Sequence, residues 1–237
     1  MRSWVYLACG CIRKWAYAKG AIAIFRDRID AGVRLASLLS AYSDAADTIV
    51  LGIPRGGVVV AAEVARELRL PLDIVLAAKV GAPGNPEFAA GALTADGELL
   101  ANPAFRVSLA DLERLSGAAR EKISRLLDSL RGALLPLPIE GRTAIVVDDG
   151  LATGLTARAA ARYLRRQGAS RIVLAVPVAA RASAATIAPE VDEFVSADTP
   201  EGFYAVGQFY QQFGQTEDAE VRALLHDTPR VYPNRSG

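Results

Sequence analysis

Apolar and polar positions change rhythm several times along the 237 residues. Up to about Phe25 the order is irregular. From there Ile29, Val33, Leu35, Ala36, Leu38 and Leu39 recur at helical spacing. A β-branched run, Thr48–Ile53, stops at Pro54-Arg55-Gly56-Gly57, and helical spacing returns over Val58–Leu70. Asp73–Lys79 reads as a second apolar strand. Gly81–Leu100 is rich in glycine and proline, with Asp96-Gly97 placed for a hairpin turn. Ser108 is positioned to cap a long helix running to about Arg131, after which Pro136 and Pro138 break the chain. Thr143–Asp149 predicts a third strand and Thr156–Gln167 a helix closed by Gly168. Arg171–Ala179 and Phe194–Ala197 complete the strands. Acidic residues open a last helix at about Glu217–His226, where the helix dipole favours them.

Strands that alternate with helices and are apolar throughout predict an α/β fold, a doubly wound and mostly parallel sheet covered on both faces. Ligands of such sheets sit beyond the carboxyl ends of the strands. The loops after Ile53, Lys79, Asp149, Ala179 and Ala197 are therefore the ones to read for chemistry. No repeat or low-complexity linker divides the chain, so one domain is expected.

Composition narrows the partners. Hydrophobic residues make up 51% and aromatics only 7%, which predicts an aliphatic core of adequate size. The 27 basic and 26 acidic residues leave a formal charge of +1, without the excess needed to displace counterions from nucleic acid. No apolar run reaches the roughly 18 residues of a membrane helix. Trp4–Ile12 is a short apolar stretch, but Arg13 and Lys14 follow it without a clear cleavage site. Cys9 and Cys11 lack a neighbouring cysteine or histidine to complete a metal site, and two cysteines cannot staple a chain this long. A reducing, cytoplasmic setting is expected. His226 is the only histidine, which excludes a histidine triad and a multi-histidine metal site.

The densest chemistry lies in Ala144-Ile-Val-Val-Asp-Asp-Gly-Leu-Ala-Thr-Gly-Leu-Thr156. An apolar strand runs into two adjacent carboxylates, Asp148 and Asp149, which repel each other and call for a polyol or a metal ion. Ala152, Thr153, Gly154, Leu155 and Thr156 then lead into a helix. A glycine, two hydroxyls and free first-turn amides make a cradle for phosphate. The dipole supplies only about 0.3–1 kcal/mol, so amides and hydroxyls must do most of the binding. A phosphate beside vicinal hydroxyls describes a ribose 5-phosphate. Earlier in the chain Arg55 offers a bidentate fork to phosphate, and Gly56 and Gly57 leave backbone amides exposed. No Walker-type loop, dinucleotide fingerprint or nucleophile elbow competes with this reading.

These residues resemble the type I phosphoribosyltransferases. Val146 to Thr156 looks like that family's binding motif for 5-phosphoribosyl 1-diphosphate. Phe25-Arg-Asp-Arg-Ile-Asp30 and Lys79 to Phe88 are similar to a bacterial group called predicted phosphoribosyltransferases. The resemblance divides the chain into an atypical extension (1–24), a phosphoribosyltransferase domain (25–226) and a tail (227–237). It implies Asp148 and Asp149 for the ribose, Ala152–Thr156 for the 5-phosphate, and Arg55, Gly56, Gly57 and Lys79 for the pyrophosphate. It also implies a cis peptide joining Pro54 and Arg55, a flexible hairpin lid at Gly81–Leu93 with Asn85 and Glu87 as its polar candidates, and a small hood. Magnesium is the implied cofactor, held by Asp148, Asp149 and Glu201, and a homodimer is admitted. Phe203 or Tyr204 is a candidate for stacking on a base, against the plainer reading of both as core aromatics.

The implied reaction transfers ribose 5-phosphate to a nitrogenous acceptor with release of pyrophosphate. Its transition state would resemble an oxocarbenium ion, with charge building on the leaving group. Two departures bear on the acceptor. Ala152 stands where 6-oxopurine enzymes carry an aspartate, and Pro177-Val-Ala-Ala180 lacks the lysine that reads a 6-oxo group, although Arg181 is near. Hypoxanthine and guanine are therefore disfavoured. The alternative is a regulatory protein that binds the diphosphate sugar or a nucleotide without turnover.

Overall fold

The structure, a computed structural model, describes residues 24–132 and 134–228. The Cys9/Cys11 pair, the Trp4–Ile12 stretch and the rest of the leading extension lie outside the described residues, as does the tail from residue 229.

In chain order the elements are α1 (Arg28–Leu38), β1 (Thr48–Gly52), α2 (Gly56–Leu68), β2 (Leu72–Ile74), β3 (Ala77–Ala82), β4 (Asn85–Thr94), β5 (Leu99–Ala101), α3 (Leu109–Leu115), α4 (Gly117–Leu126), β6 (Thr143–Val147), α5 (Leu155–Arg166), β7 (Arg171–Val178), α6 (Arg181–Ile187), β8 (Glu193–Asp198) and α7 (Asp218–Asp227). Five strands form one parallel sheet in the order β2-β1-β6-β7-β8. β3, β4 and β5 form a separate antiparallel sheet. The expected α/β sheet is present, and its faces divide the core. Val50, Ile145, Val147, Val173 and Ala175 pack with α1 and α2, while Ile49, Leu51, Ala144, Val146, Leu174 and Val176 pack with α5 and α6. Alternation along each strand sends successive side chains to opposite faces, so both sets must be apolar.

Two elements differ from the sequence expectation. Asp73–Lys79 is two strands rather than one. The amide of Val75 still reaches Gly52 O at 3.1 Å, after which the chain leaves the parallel sheet and opens β3. Lys79 therefore lies inside β3, exposed and opposite Ala92, rather than at the tip of a parallel strand. The long helix from Ser108 is broken at Ser116 into α3 and α4, and a π-helical turn at Leu127–Arg131 follows. The Ser108 cap itself is present, its hydroxyl accepting from the Asp111 amide at 3.1 Å. Gly81–Leu93 forms the expected hairpin, β3 pairing antiparallel with β4, and Ala82, Ala89, Ala90, Ala92 and Leu93 are buried in it. Pro83, Gly84 and Phe88 are exposed at its tip, and the side chains of Asn85 and Glu87 lie outside the description.

Residues 199–216 form a hood over the ends of β7 and β8. Phe209 and Tyr210 are buried against Phe25, Ala31 and Val178, with Phe203 and Val206 packed alongside. The Phe25 amide donates to Phe209 O and the Gln211 amide to Phe25 O, both at 2.8 Å. The hood is thereby stitched to the start of the domain.

Candidate active site

The strand order fixes the place. β2 lies on one side of β1 and β6 on the other, so the strand order reverses between the parallel neighbours β1 and β6 and opens a crevice at their carboxyl ends. The two loops singled out by sequence meet there. After β1 the chain turns through Pro54 and Arg55, joined by a cis peptide, and Gly56 and Gly57 begin α2. After β6 come Asp148 and Asp149.

Glycine is needed at the meeting point because the loops touch backbone to backbone. A Cβ on Gly57 would lie 2.8 Å from both Val147 O and Asp148 Cα. A Cβ on Gly56 would lie 2.0 Å from Asp149 Oδ2 and 2.6 Å from Arg28 Nε. The sequence reading expected these glycines to expose amides; in the structure Gly57 is buried and Gly56 half-buried, and the two make room for the acid pair.

The two acids are not equivalent. Asp149 receives Arg28 Nε on Oδ2 at 2.8 Å, its amide donates to Asp148 Oδ1 at 2.9 Å, and its carbonyl accepts from the Tyr210 hydroxyl at 2.6 Å. Burial and then the neighbouring Asp149 charge push the Asp148 carboxyl well above the ordinary carboxylate range. Burial also raises Asp149, and the Arg28 guanidinium opposes that rise. The Tyr210 hydroxyl is pushed up by burial and then by Asp149. Arg28 further donates to Gly214 O at 2.7 Å and lies 4.1 Å from the centre of the Phe213 ring.

The segment after the acids is pinned from below. The Leu151 amide donates to Val178 O and the Ala180 amide to Leu151 O, both at 2.8 Å, and the Ser183 hydroxyl donates to Ala152 O. Ala152 and Thr153 face solvent. Gly154 turns left-handed with φ +73°, so α5 starts with its first-turn amides beside the exposed loop. Leu155 is buried against Ala89, Ala92 and Ala159, which limits its contribution at the loop to its backbone. Thr156 is half-buried at the first turn of the helix. An anion cradle of this make suits a phosphate.

Other candidates are placed differently from their expected roles. Arg55 donates from Nε to Asp218 Oδ1 at 2.6 Å, at the first turn of α7. Glu201 pairs with Arg181 at 3.0 Å and is 84% exposed. It does not join the acid pair, because among the described residues no three Asp, Glu, His or Cys side chains gather to hold a metal. Asp148 and Asp149 alone remain as carboxylate donors, which is a set suited to magnesium when substrate oxygens complete it. Phe203 packs on Phe209 in the hood with ring centres 5.2 Å apart, whereas Tyr204 is 93% exposed. His226 is exposed at the end of α7. Arg28, Tyr210, Phe213 and Asp218 were missed as site residues. Arg28 lies in the Phe25–Asp30 flank, whose only local sign is the Asp27 cap on α1.

Comparison with known proteins agrees with this geometry. The phosphoribosyl transferase domain model matches residues 22–208. Two Mycobacterium tuberculosis proteins, from strains CDC 1551 and H37Rv and each provisionally named a phosphoribosyl transferase, are 43% identical over 213 residues, covering 88% of this chain and 48% of theirs. The chain thus spans about half the length of the curated relatives it matches. A ribose-phosphate pyrophosphokinase of Parasynechococcus marenigrum is 45% identical over 60 residues, 25% of this chain and 16% of that protein. The solved structure of TT1426 from Thermus thermophilus is 40% identical, with a TM-score of 0.74, covering 86% of this chain and 99% of that one. With a family model across most of its length, and this likeness to nearly the whole of a solved chain, the protein belongs to the phosphoribosyl transferase domain family.

Proposed function

We propose that the crevice between β1 and β6 binds 5-phosphoribosyl 1-diphosphate and transfers its ribose 5-phosphate to a nitrogenous acceptor. The observation that carries this is the acid pair at the tip of β6, seated on the Gly56–Gly57 backbone and followed at once by the 152–156 cradle. Vicinal hydroxyls would meet Asp148 and Asp149, and the 5-phosphate the cradle. The C1–oxygen bond to the diphosphate breaks as the C1–nitrogen bond forms; pyrophosphate leaves with the electron pair, and the acceptor loses a proton.

Arg55 and the Gly56–Gly57 amides are the groups on this side that can face the leaving pyrophosphate, with Lys79 as a further basic candidate. Magnesium would be held by Asp148 and Asp149 with substrate oxygens, and would supply charge neutralisation on the diphosphate. Glu201 is not retained in that set. Asp149, kept close to Arg28, would sit near the positive charge developing on the sugar. The partners are small molecules and the compartment is the cytoplasm. Ala152 and Ala180 provide no acid or lysine to read a 6-oxopurine, so the acceptor is another base or an amine.

Calorimetric titration with the diphosphate sugar, with and without magnesium, tests the site. Binding should disappear in the Asp148→Asn/Asp149→Asn double variant, and binding that survives unchanged refutes the placement. Pyrophosphate release with a panel of bases and amines separates transfer from binding without turnover.

A further inference from the structure

Two carboxylates stand on adjacent residues, yet among the described residues a cation is built against Asp149 alone. Arg28 reaches Asp149 from the first turn of α1 at 2.8 Å, the two side chains being 13% and 17% exposed. Its other bond goes to Gly214 O, and the Phe213 ring covers its plane. The Gly56 backbone lies directly beneath, since a Cβ there would come within 2.6 Å of Arg28 Nε. The planar guanidinium is therefore held by the β1–α2 loop, the β6–α5 loop and the hood together.

We propose that Arg28 is a positioning residue that reserves Asp149, so that a divalent cation joins the acid pair only in company with the sugar's diphosphate and not before it. The inference rests on the reading of the crevice as the diphosphate-sugar site. Two uncompensated carboxylates side by side would attract a divalent cation on their own. With Arg28 in place one negative charge is cancelled and a fixed positive charge repels the incoming ion at short range. The diphosphate restores the missing negative charge, and magnesium is characteristically held by one or two carboxylates plus substrate phosphates. Arg28 acts through Asp149 and Gly214, not on the reacting carbon. A lysine at this position would keep the charge and lose the fork and the ring contact.

The test uses Mn²⁺ alone as the probe, titrated calorimetrically into the full chain, with folding checked by circular dichroism. Arg28→Gln should bind Mn²⁺ roughly tenfold or more tightly than the wild type. Arg28→Lys should fall between the two, because it keeps the charge but loses the fork and the ring contact, and the gain should vanish in Arg28→Gln/Asp149→Asn. Equal Mn²⁺ affinity in folded Arg28→Gln and wild type overturns the proposal, as does a gain that survives loss of Asp149. Phe213→Leu loosens the guanidinium without touching the acids and decides the matter if Arg28→Gln does not fold. A smaller gain supports the proposal and unchanged affinity overturns it. Titrating the diphosphate sugar into wild type with Mn²⁺ present separates the two levels. Failure of the sugar to bind removes the substrate reading, while the Mn²⁺ comparison still decides what Arg28 does.

Discussion

Gly57→Ala probes the contact on which the site is built. The added methyl would lie 2.8 Å from Val147 O and Asp148 Cα, both main-chain atoms. Ordinary carbon contacts begin near 3.5 Å, so either the first turn of α2 or the tip of β6 must move by about 0.7 Å. Neither moves cheaply, because Gly57, Val58 and Val147 are buried. Forcing an extra methyl into such a place costs about 1–3 kcal/mol. For a chain of this size that corresponds to roughly 2–12 °C in Tm. The matched control is Gly117→Ala at the start of α4, where a Cβ meets nothing within 4 Å. It should leave the melt unchanged or raise it slightly, since alanine favours helix. Differential scanning fluorimetry reads both variants, and titration with the diphosphate sugar reads the function. Gly57→Ala should lose ligand affinity as well as stability, because the displaced atoms carry Asp148. A Gly57→Ala protein that melts within 1 °C of wild type, as a rough limit, and binds the sugar unchanged would refute the argument from close approach.

Further expectations follow from the charges. Burial and then Asp149 raise the Asp148 carboxyl, so the folded protein holds that proton more tightly than the unfolded chain does. Its contribution to stability is full below the unfolded value near 3.9 and is lost as pH rises through the raised folded value. Asp148→Asn should therefore flatten the fall in Tm from about pH 4 toward neutrality, and parallel melting profiles for variant and wild type would refute this. Asp218→Asn should free Arg55 and tighten pyrophosphate binding several-fold while changing stability by only about 0–1 kcal/mol, since the pair is partly exposed; weaker pyrophosphate binding would show instead that Asp218 orients Arg55. Asp73→Ala should cost about 3–5 kcal/mol in urea unfolding, because Asp73 is buried, pairs with Arg131 at 3.0 Å and accepts the Leu137 amide at 2.8 Å. A loss below about 1 kcal/mol would mean that the segment after α4 is held by its apolar contacts alone.

The parallel strands and the acid-pair loop were legible because their information is local. Thr48–Ile53, Thr143–Asp149 and Arg171–Ala179 are continuous apolar runs, and the chemistry after Val147 occupies nine consecutive residues. What escaped depends on distance along the chain. Asp73 to Lys79 has no turn residue inside it, so nothing local shows where the chain leaves one sheet for another. The break at Ser116 is likewise silent in the hydrophobic pattern, where the serine side chain bonds back to Glu113 O at 2.7 Å. On α1 the pattern suggested a broader apolar face than is used, for Ile29 and Val33 are exposed while Ala31, Gly32, Leu35 and Ala36 are buried. Arg28 could not be paired by reading along the sequence, since Asp149 lies 121 positions later. Arg55 was expected to face an anion, and it does face one, but the anion is the chain's own Asp218.

The stitch between Phe25 and the Phe209–Gln211 segment has a consequence for how the protein is made. A ribosome adds roughly 5–20 residues per second from the amino end. When Asp148 and Asp149 emerge, the hood residues Tyr210, Phe213 and Gly214 that complete their surroundings are still unsynthesised. Contacts of such long sequence separation form late, because their loops must close first. The nascent chain thus carries the acid pair without its cover for some seconds, and a chain cut short before Gly214 would present the crevice without the backbone oxygen that holds Arg28 in place.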